Sequence, residues 1–238
     1  MPKLILVRHG QTDFNAQQRY QGQSDIPLNA TGIAQAEALR PRLAAFRLDA
    51  AYTSDLMRAR QTAEVLLAGH PSGIVPRLMP LLREASGGKF EGLRWQEITS
   101  LYPEEAALWQ KDRMRHSPPE GESQLQVMAR VQQAIEKIVE EQPGEERSVL
   151  VVAHGGIQAS ILCHLMGVDP NRLWQWRIDN CSITILDIYK EGAILSLFND
   201  VSYLDVADLE KREPDPAAVQ GSHPKTESPP EAQTKEVD

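Results

Sequence analysis

Two stretches of similar form decide the fold, LVRHG at residues 6–10 and VVAHG at residues 151–155. Each begins with an apolar run rich in valine, which predicts a buried β-strand, and each run is followed by histidine and glycine. In an open α/β sheet, ligands gather beyond the carboxyl ends of the strands. If the two strands are neighbours, His9 and His154 should therefore point into one crevice.

The remaining sequence alternates short apolar runs with segments of helical periodicity. This order predicts an α/β fold, a three-layer sandwich in which helices cover both faces of a mainly parallel central sheet. The predicted strands are residues 3–8, 50–53 and 148–153, the predicted late hairpin pairs 181–189 with 194–198, and the predicted helices are 29–46, 55–67 and one opened by a capping box of Ser123 and Gln126.

The helix predicted at residues 29–46 has an apolar stripe and one interruption. Pro41 lies inside the pattern, and because proline lacks an amide N–H we expect it to kink the helix or to shift its start. The residues of the stripe are Ile33, Ala36, Leu39, Leu43 and Phe46.

Composition divides the chain into residues 1–212, expected to form one globular domain, and a tail, residues 213–238. Within the domain, residues 87–120 carry Trp95, Tyr102 and Trp109 at helical spacing and are expected to form a small helical cap over one end of the sheet. The tail has five prolines, an acidic excess and no aromatic residue. It buries too little apolar surface to offset the entropy of ordering, so we predict that it is disordered.

Charge and residue usage exclude several classes of function. The formal net charge is −8, whereas binding to a nucleic-acid backbone needs a positive surface. No apolar run is long enough to cross a membrane or to act as a signal peptide, so the default expectation is a cytoplasmic protein without a membrane partner. The two cysteines, Cys163 and Cys181, show no spacing typical of a metal site or a disulfide framework.

Arginines near both histidines point to phosphate chemistry. Arg8 precedes His9, and its planar guanidinium matches two oxygens of a phosphate group. Arg58 and Arg60 lie in the first turn of the helix predicted after the second strand, and one helical turn does not let both face the same crevice. A basic pocket inside an acidic protein favours a small phosphorylated metabolite as partner over a polymer.

Five separated motifs carry a family resemblance: RHGQT at residues 8–12 with Asn15, QG at 21–22, SDLMRARQTA at 54–63, LRE at 82–84 with EG at 91–92, and HGG at 154–156. In this order, from residue 3 to about residue 204, they resemble the histidine phosphatase superfamily. That superfamily includes cofactor-dependent phosphoglycerate mutases, broad-specificity phosphatases and α-ribazole phosphatases. The resemblance implies a phosphoglycerate mutase-like fold, and the late-strand motifs are similar to the phosphatase branch.

The resemblance also implies roles for individual residues. His9 is the implied nucleophile, which forms a phosphohistidine intermediate, and Glu84 is the implied proton donor to the leaving oxygen. The other implied phosphate or substrate contacts are Arg8, Arg58, His154, Asn15, Gln21, Gly22 and the backbone at Gly155. Phosphoryl transfer needs a nucleophile and cations around the phosphoryl oxygens, so this set is expected to work without a metal or other cofactor.

The interpretation that follows is a metal-independent phosphomonoesterase, and alternatives remain open beside it. A cofactor-dependent phosphoglycerate mutase would use the same pocket, but such mutases carry an extra segment between the acid and the second histidine, an interval that is compact here. A catalytically silent phospholigand binder would not need His9 or Glu84. A metallohydrolase is disfavoured because the arginines would repel a divalent cation. A homodimer through the exposed hairpin near Ile194 is a further expectation.

Overall fold

The computed structural model describes residues 2–143 and 146–204, so the predicted tail, residues 213–238, lies outside the described residues. No described helix has both the length and the apolar character that crossing a membrane requires. The strands are β1 (Lys3–Arg8), β2 (Ala50–Thr53), β3 (Arg77–Leu78), β4 (Ser148–Ala153), β5 (Ile183–Tyr189) and β6 (Gly192–Asp200). The α-helices are α1 (Asp13–Ala16), α2 (Ala30–Ala44), α3 (Met57–Leu67), α4 (Trp95–Leu101), α5 (Pro103–Lys111), α6 (Gln124–Glu141) and α7 (Gly155–Met166).

The strands form one six-stranded sheet in the order β3-β2-β4-β1-β5-β6. The first four of these are parallel, and β5 runs antiparallel to both of its neighbours. The central pair is β1 and β4, in a register that sets Arg8 opposite Ala153. The mainly parallel sheet predicted from the sequence is therefore confirmed.

Side chains that alternate along the strands form two separate cores, one on each face of the sheet. On one face, Leu6 and Val151 pack with α6 and α7. On the other, Val7 and Val152 pack with α2 and α3. Because successive side chains of a strand point to opposite faces, a run such as LILV at residues 4–7 supplies both cores, and the three-layer arrangement is confirmed.

The strands predicted at residues 3–8, 50–53 and 148–153 have the predicted boundaries, and the other elements predicted with bounds differ by at most two residues at an end. Helix α3 begins at Met57 rather than at residue 55, and β5 begins at Ile183 rather than at residue 181. Cys181 has a left-handed φ of 52°, so it turns the chain before the strand begins. The two-residue strand β3 was not predicted, because a strand this short leaves no period to recognise.

Pro41 neither shifts the start of α2 nor breaks it, and the helix runs on to Ala44. Pro41 lies on the exposed side, where water can satisfy the carbonyl that loses its helical partner. Of the predicted stripe, Ala36, Leu39 and Leu43 are buried, whereas Ile33 is 42% exposed and Phe46 lies beyond the end of the helix.

Residues 87–120 contain α4 and α5 and a separate aromatic cluster. The ring centroids of Phe90 and Trp109 lie 5.9 Å apart in an edge-on contact, and Tyr20 contacts both rings. Tyr20 comes from the loop after α1, so the cluster ties the helical segment to the loop that follows the first strand.

Truncating a side chain on the buried face of α2 should lower the free energy of unfolding more than truncating one on its exposed face. Leu39 is fully buried, so Leu39→Ala should lower the free energy of unfolding by about 2–5 kcal/mol, through lost burial and the remaining cavity. Ile33→Ala on the same helix is the matched control and should cost about 1 kcal/mol or less. Urea unfolding followed by circular dichroism measures both values, and equal losses would contradict this assignment of the buried face.

Candidate active site

The two histidines meet at the carboxyl edge of the sheet, as the sequence predicts. Their ring centroids lie 5.1 Å apart, and both residues are buried, His9 at 2% and His154 at 0% exposure. Each follows the last residue of its strand, and the backbone N–H of His9 donates to the carbonyl of Ala153 at 3.0 Å. The pairing of β1 with β4 therefore brings together two residues that are 145 positions apart in the sequence.

One hydrogen bond selects the tautomer of His9. Its Nδ1 lies 2.7 Å from the carbonyl oxygen of Gly10, and a carbonyl can only accept, so Nδ1 carries the proton. The other ring nitrogen, Nε2, then has a free lone pair. A neutral imidazole in this tautomer can attack an electrophile through Nε2.

Burial and nearby cations keep both histidines neutral. Burial lowers the pKa of His9 well below its usual 6.5, and the charges of Arg58 and Arg8 lower it further, outweighing the opposite effect of the Gly10 hydrogen bond. The pKa of His154 is also lowered, first by burial and then by Arg58 and His9. The positive charges that would bind phosphate thus also preserve the nucleophilic form of the ring.

Arg58 is fully buried and is held by two backbone carbonyls. Its terminal nitrogens donate to the carbonyl oxygens of Gly22 at 2.7 Å and Ser24 at 2.8 Å. Burial lowers its pKa to about 10, against the raising effect of Glu84 and other carboxylates, so Arg58 is still a cation at neutral pH. Of the two arginines in this turn, Arg58 is the one whose charge acts on both histidines, whereas Arg60 acts on Asp55.

The loop that supports Arg58 depends on Gly22 and on the carboxylate of Glu91, a residue to which sequence analysis assigned no individual role. Gly22 has a left-handed φ of 52°, and a Cβ atom there would lie 2.1 Å from Oε1 of Glu91. That carboxylate accepts from the backbone N–H groups of Gln23 at 2.8 Å and Gly87 at 2.9 Å and from the hydroxyl of Ser24 at 2.7 Å. The EG motif at residues 91–92 was the only sequence signal for this anchor.

Asn15 and Gln21 both accept hydrogen bonds from Thr12. The Thr12 backbone N–H donates to Oδ1 of Asn15 at 3.1 Å, and the Thr12 hydroxyl donates to Oε1 of Gln21. With the amide oxygens so engaged, each side chain presents its NH₂ group as a donor. Asn15 lies in α1, and Gln21 lies in the loop that follows it, which also contains Gly22.

Glu84 reaches from a distant part of the sequence to the start of α7. Its Oε2 accepts from the backbone N–H of Gly156 at 3.1 Å, and its Oε1 accepts from Ala85 at 2.9 Å. A Cβ atom at Gly156 would lie 2.6 Å from Oε1, so this approach requires the glycine. Glu84 thus contacts a residue two positions after His154, and its charge acts on Arg58.

Several buried nitrogens of the crevice have no hydrogen-bond partner in the described part of the chain. They are Nε of Arg8, Nε of Arg58 and both ring nitrogens of His154. Helix α7 starts beside them, with His154 at its N-cap position, and the Cβ position of Gly155 lies 3.4 Å from Nε of Arg8. Buried polar atoms are normally paired, and unpaired donors beside a helix N-terminus suit an anion.

The backbone of Arg8 and His9 is braced from the segment before β5. The Asn180 side-chain amide donates to the carbonyl of His9 at 2.9 Å, and the Cys181 N–H donates to the carbonyl of Arg8 at 3.0 Å. The terminal nitrogen Nη1 of Arg8 donates to the carbonyl of Ile178 at 2.6 Å. Sequence analysis assigned no role to Asn180, because its contact depends on the pairing of β1 with β5.

No group of three or more His, Cys, Asp and Glu side chains within residues 2–143 and 146–204 is arranged to hold a metal ion.

The sequence and the fold match one family over most of the chain. The profile of the histidine phosphatase superfamily, branch 1, matches residues 4–201, and the chain belongs to that superfamily. A relative from Yersinia enterocolitica, named probable phosphoglycerate mutase GpmB, is 33% identical over 221 residues, which cover 89% of this chain and 99% of the relative.

Two solved structures in the same family are named phosphatases. The α-ribazole phosphatase from Shigella flexneri superposes with a TM-score of 0.77 at 28% identity, covering 83% of this chain and 96% of its own. The mycobacterial glucosyl-3-phosphoglycerate phosphatase, in its complex with VO₃, gives a TM-score of 0.74 at 33% identity, covering 83% and 98%. The phosphoglycerate mutase-like fold and the superfamily that the motifs resembled are therefore confirmed.

The lowered pKa values predict an unusual proton titration. His9 and His154 should keep the ring chemical shifts of neutral imidazole as the pH is lowered through 6.5, because protonation would place a charge in a buried site beside two arginines. The unfolded chain takes up these protons near pH 6.5, so the free energy of unfolding should fall as the pH drops below that value.

Ring ¹H–¹³C correlation spectra recorded between about pH 8 and 5 test this prediction. The two signals are assigned by their loss in His9→Gln and His154→Gln. A midpoint at or above 6.5 for either ring would contradict the electrostatic description of the crevice.

Proposed function

We propose that this protein is a metal-independent phosphomonoesterase that acts on small phosphorylated metabolites through a phosphohistidine on His9. The observation that carries the proposal is a neutral histidine with a free Nε2, enclosed by the unpaired nitrogens of Arg8, Arg58 and His154. The two arginines and the start of α7 supply the positive field that a phosphate dianion needs.

In the first half-reaction, Nε2 of His9 attacks phosphorus as the bond to the ester oxygen breaks. The leaving alkoxide takes a proton from Glu84, in its carboxylic acid form, and departs as an alcohol. Charge that develops on the three equatorial oxygens is stabilised by Arg8, Arg58 and His154. The products are the free alcohol, the phosphohistidine and the Glu84 carboxylate.

In the second half-reaction, water attacks the phosphohistidine and gives one proton to the Glu84 carboxylate. The P–N bond breaks, inorganic phosphate forms, and His9 returns to its neutral state with Nδ1 still donating to Gly10. Glu84 is thus acid first and base second, and its position beside Gly156 serves both steps.

The named relatives support two versions of this chemistry. The solved neighbours named as phosphatases favour transfer to water, with small phosphorylated metabolites as substrates. The relative named a phosphoglycerate mutase favours return of the phosphoryl group to an organic hydroxyl. The compact interval from Glu84 to His154 favours the phosphatase, since it lacks the extra segment expected of mutases.

The nucleophile assignment predicts that phosphate release in excess EDTA survives in the wild type and falls at least about 10³-fold in His9→Ala. The substrates are p-nitrophenyl phosphate, 3-phosphoglycerate, phosphoserine and α-ribazole phosphate. His164→Ala, half-buried in the last turn of α7, is the matched histidine control and should retain activity.

Brief incubation with ³²P-labelled substrate should also leave an acid-labile, alkali-stable label on the wild type that is absent from His9→Ala. Loss of turnover in EDTA, or labelling that persists in His9→Ala, would overturn the proposal. Formation of 2-phosphoglycerate from 3-phosphoglycerate without phosphate release would establish the mutase instead.

The acid assignment predicts a loss that depends on the leaving group. Glu84→Gln should lower kcat about 10²-fold or more on alkyl phosphates, whose alkoxides need a proton, and less than about 10-fold on p-nitrophenyl phosphate. The glutamine keeps an acceptor for the Gly156 N–H, so the fold is preserved. Equal losses on the two substrates would count against proton donation by Glu84.

A further inference from the structure

Arg130 of α6 donates hydrogen bonds from its guanidinium group to the segment that carries Glu84 and to the side chain of Glu122. Its Nη1 donates to the carbonyl of Leu81 at 2.9 Å and that of Arg83 at 2.6 Å, and its Nη2 donates to the carbonyl of Glu84 at 2.9 Å. Its Nε and Nη2 also donate to the two carboxylate oxygens of Glu122, each at 2.9 Å. All five N–H groups of the side chain can be accounted for in this way.

These contacts matter because the segment after the 3₁₀ turn Pro80–Leu82 has no regular structure of its own. Residues 83–87 belong to no helix or strand, so no ladder of backbone hydrogen bonds fixes their position. The carbonyls of Arg83 and Glu84 lie on either side of the Glu84 side chain along the backbone. Holding both carbonyls limits the rotation of the peptide units that aim the carboxylate.

Glu122 and Gln23 extend the same network. Oε2 of Glu122 accepts from the backbone N–H of Ser86 at 2.8 Å, and the Gln23 amide donates both to that oxygen at 3.3 Å and to the carbonyl of Glu84 at 3.1 Å. Burial acts to raise the pKa of Glu122, but the hydrogen bonds from Arg130 and Ser86 outweigh it and lower that pKa. Glu122 is therefore a half-buried carboxylate that contacts the segment at Ser86 and binds Arg130.

We propose that Arg130 is a positioning residue for the acid step, acting through the backbone around Glu84 rather than on substrate. This inference rests on the proposed function, in which Glu84 protonates the leaving oxygen. Lysine cannot replace arginine here, because its three donors share one nitrogen and cannot span carbonyls at residues 81, 83 and 84 together with Glu122.

The test compares Arg130→Lys with the wild type on substrates of different leaving groups. We expect kcat on an alkyl phosphate to fall about 10- to 100-fold, because a misplaced acid loses much of its effect. On p-nitrophenyl phosphate, whose leaving group needs no proton, kcat should change less than about 3-fold. A purely structural role would lower both rates together and would overturn the inference.

A double-mutant cycle makes the coupling explicit. If Arg130 acts through Glu84, Arg130→Lys should change kcat on the alkyl phosphate less than about 3-fold in a Glu84→Gln background, since the acid is already absent. An undiminished loss in that background would show that Arg130 acts on another group and would overturn the inference.

Two controls separate folding from positioning. Arg77→Lys alters an exposed arginine paired with Glu141 far from the crevice and should leave both rates unchanged. Glu122→Gln keeps the shape of the partner but removes its charge and should reproduce the leaving-group-dependent loss in milder form, even if Arg130→Lys folds poorly. A Glu122→Gln variant that loses both rates equally would count against the positioning role.

Failure of this inference can be distinguished from failure of the proposed function. If the wild type releases no phosphate, or His9→Ala remains active, the proposed function is wrong. If those controls behave as expected and Glu84→Gln is selective for the alkyl phosphate, then equal losses in Arg130→Lys refute the positioning role alone.

Discussion

The parallel pairing of β1 with β4 is the constraint on which the rest of the structure depends. Its register puts Arg8 beside Ala153, so that His9 and His154 leave the sheet side by side with their ring centroids 5.1 Å apart. A shift by one residue would turn every side chain of one strand to the opposite face and would disrupt both cores. The same apolar packing that stabilises the sheet therefore fixes the geometry of the crevice.

Burial of cations in an acidic protein gives the crevice its chemistry. The chain carries a formal net charge of −8, yet Arg58 is fully buried beside two histidines that burial and positive charge keep neutral. Such a charge would be costly alone, and the carbonyls of Gly22 and Ser24 lower that cost by accepting its N–H groups. Nε of Arg8 and Nε of Arg58 stay unpaired within the described residues, and such donors suit the anionic phosphate group of the proposed substrate.

Carboxylates outside the crevice organise its loops. Glu91 accepts three hydrogen bonds from the loop that supports Arg58 and from Gly87. Glu122 accepts two hydrogen bonds from Arg130, which also contacts the segment around Glu84. Irregular segments lack the repeating backbone hydrogen bonds of helices and strands, so half-buried charged side chains with several hydrogen bonds take that role here. Substitution of these residues therefore affects the site without removing any group that would touch the substrate.

The sequence by itself determined the α/β class, the position of the predicted elements to within two residues, and the family through motifs such as those around His9 and His154. These features are local: apolar periodicity follows from which side chains can be buried, and a motif is a set of neighbours along the chain. Tertiary structure alone decided that Asn180 braces His9 and that Arg130 holds the segment of Glu84. Those contacts join residues distant in sequence, and their geometry exists only after the strands have paired and the helices have packed.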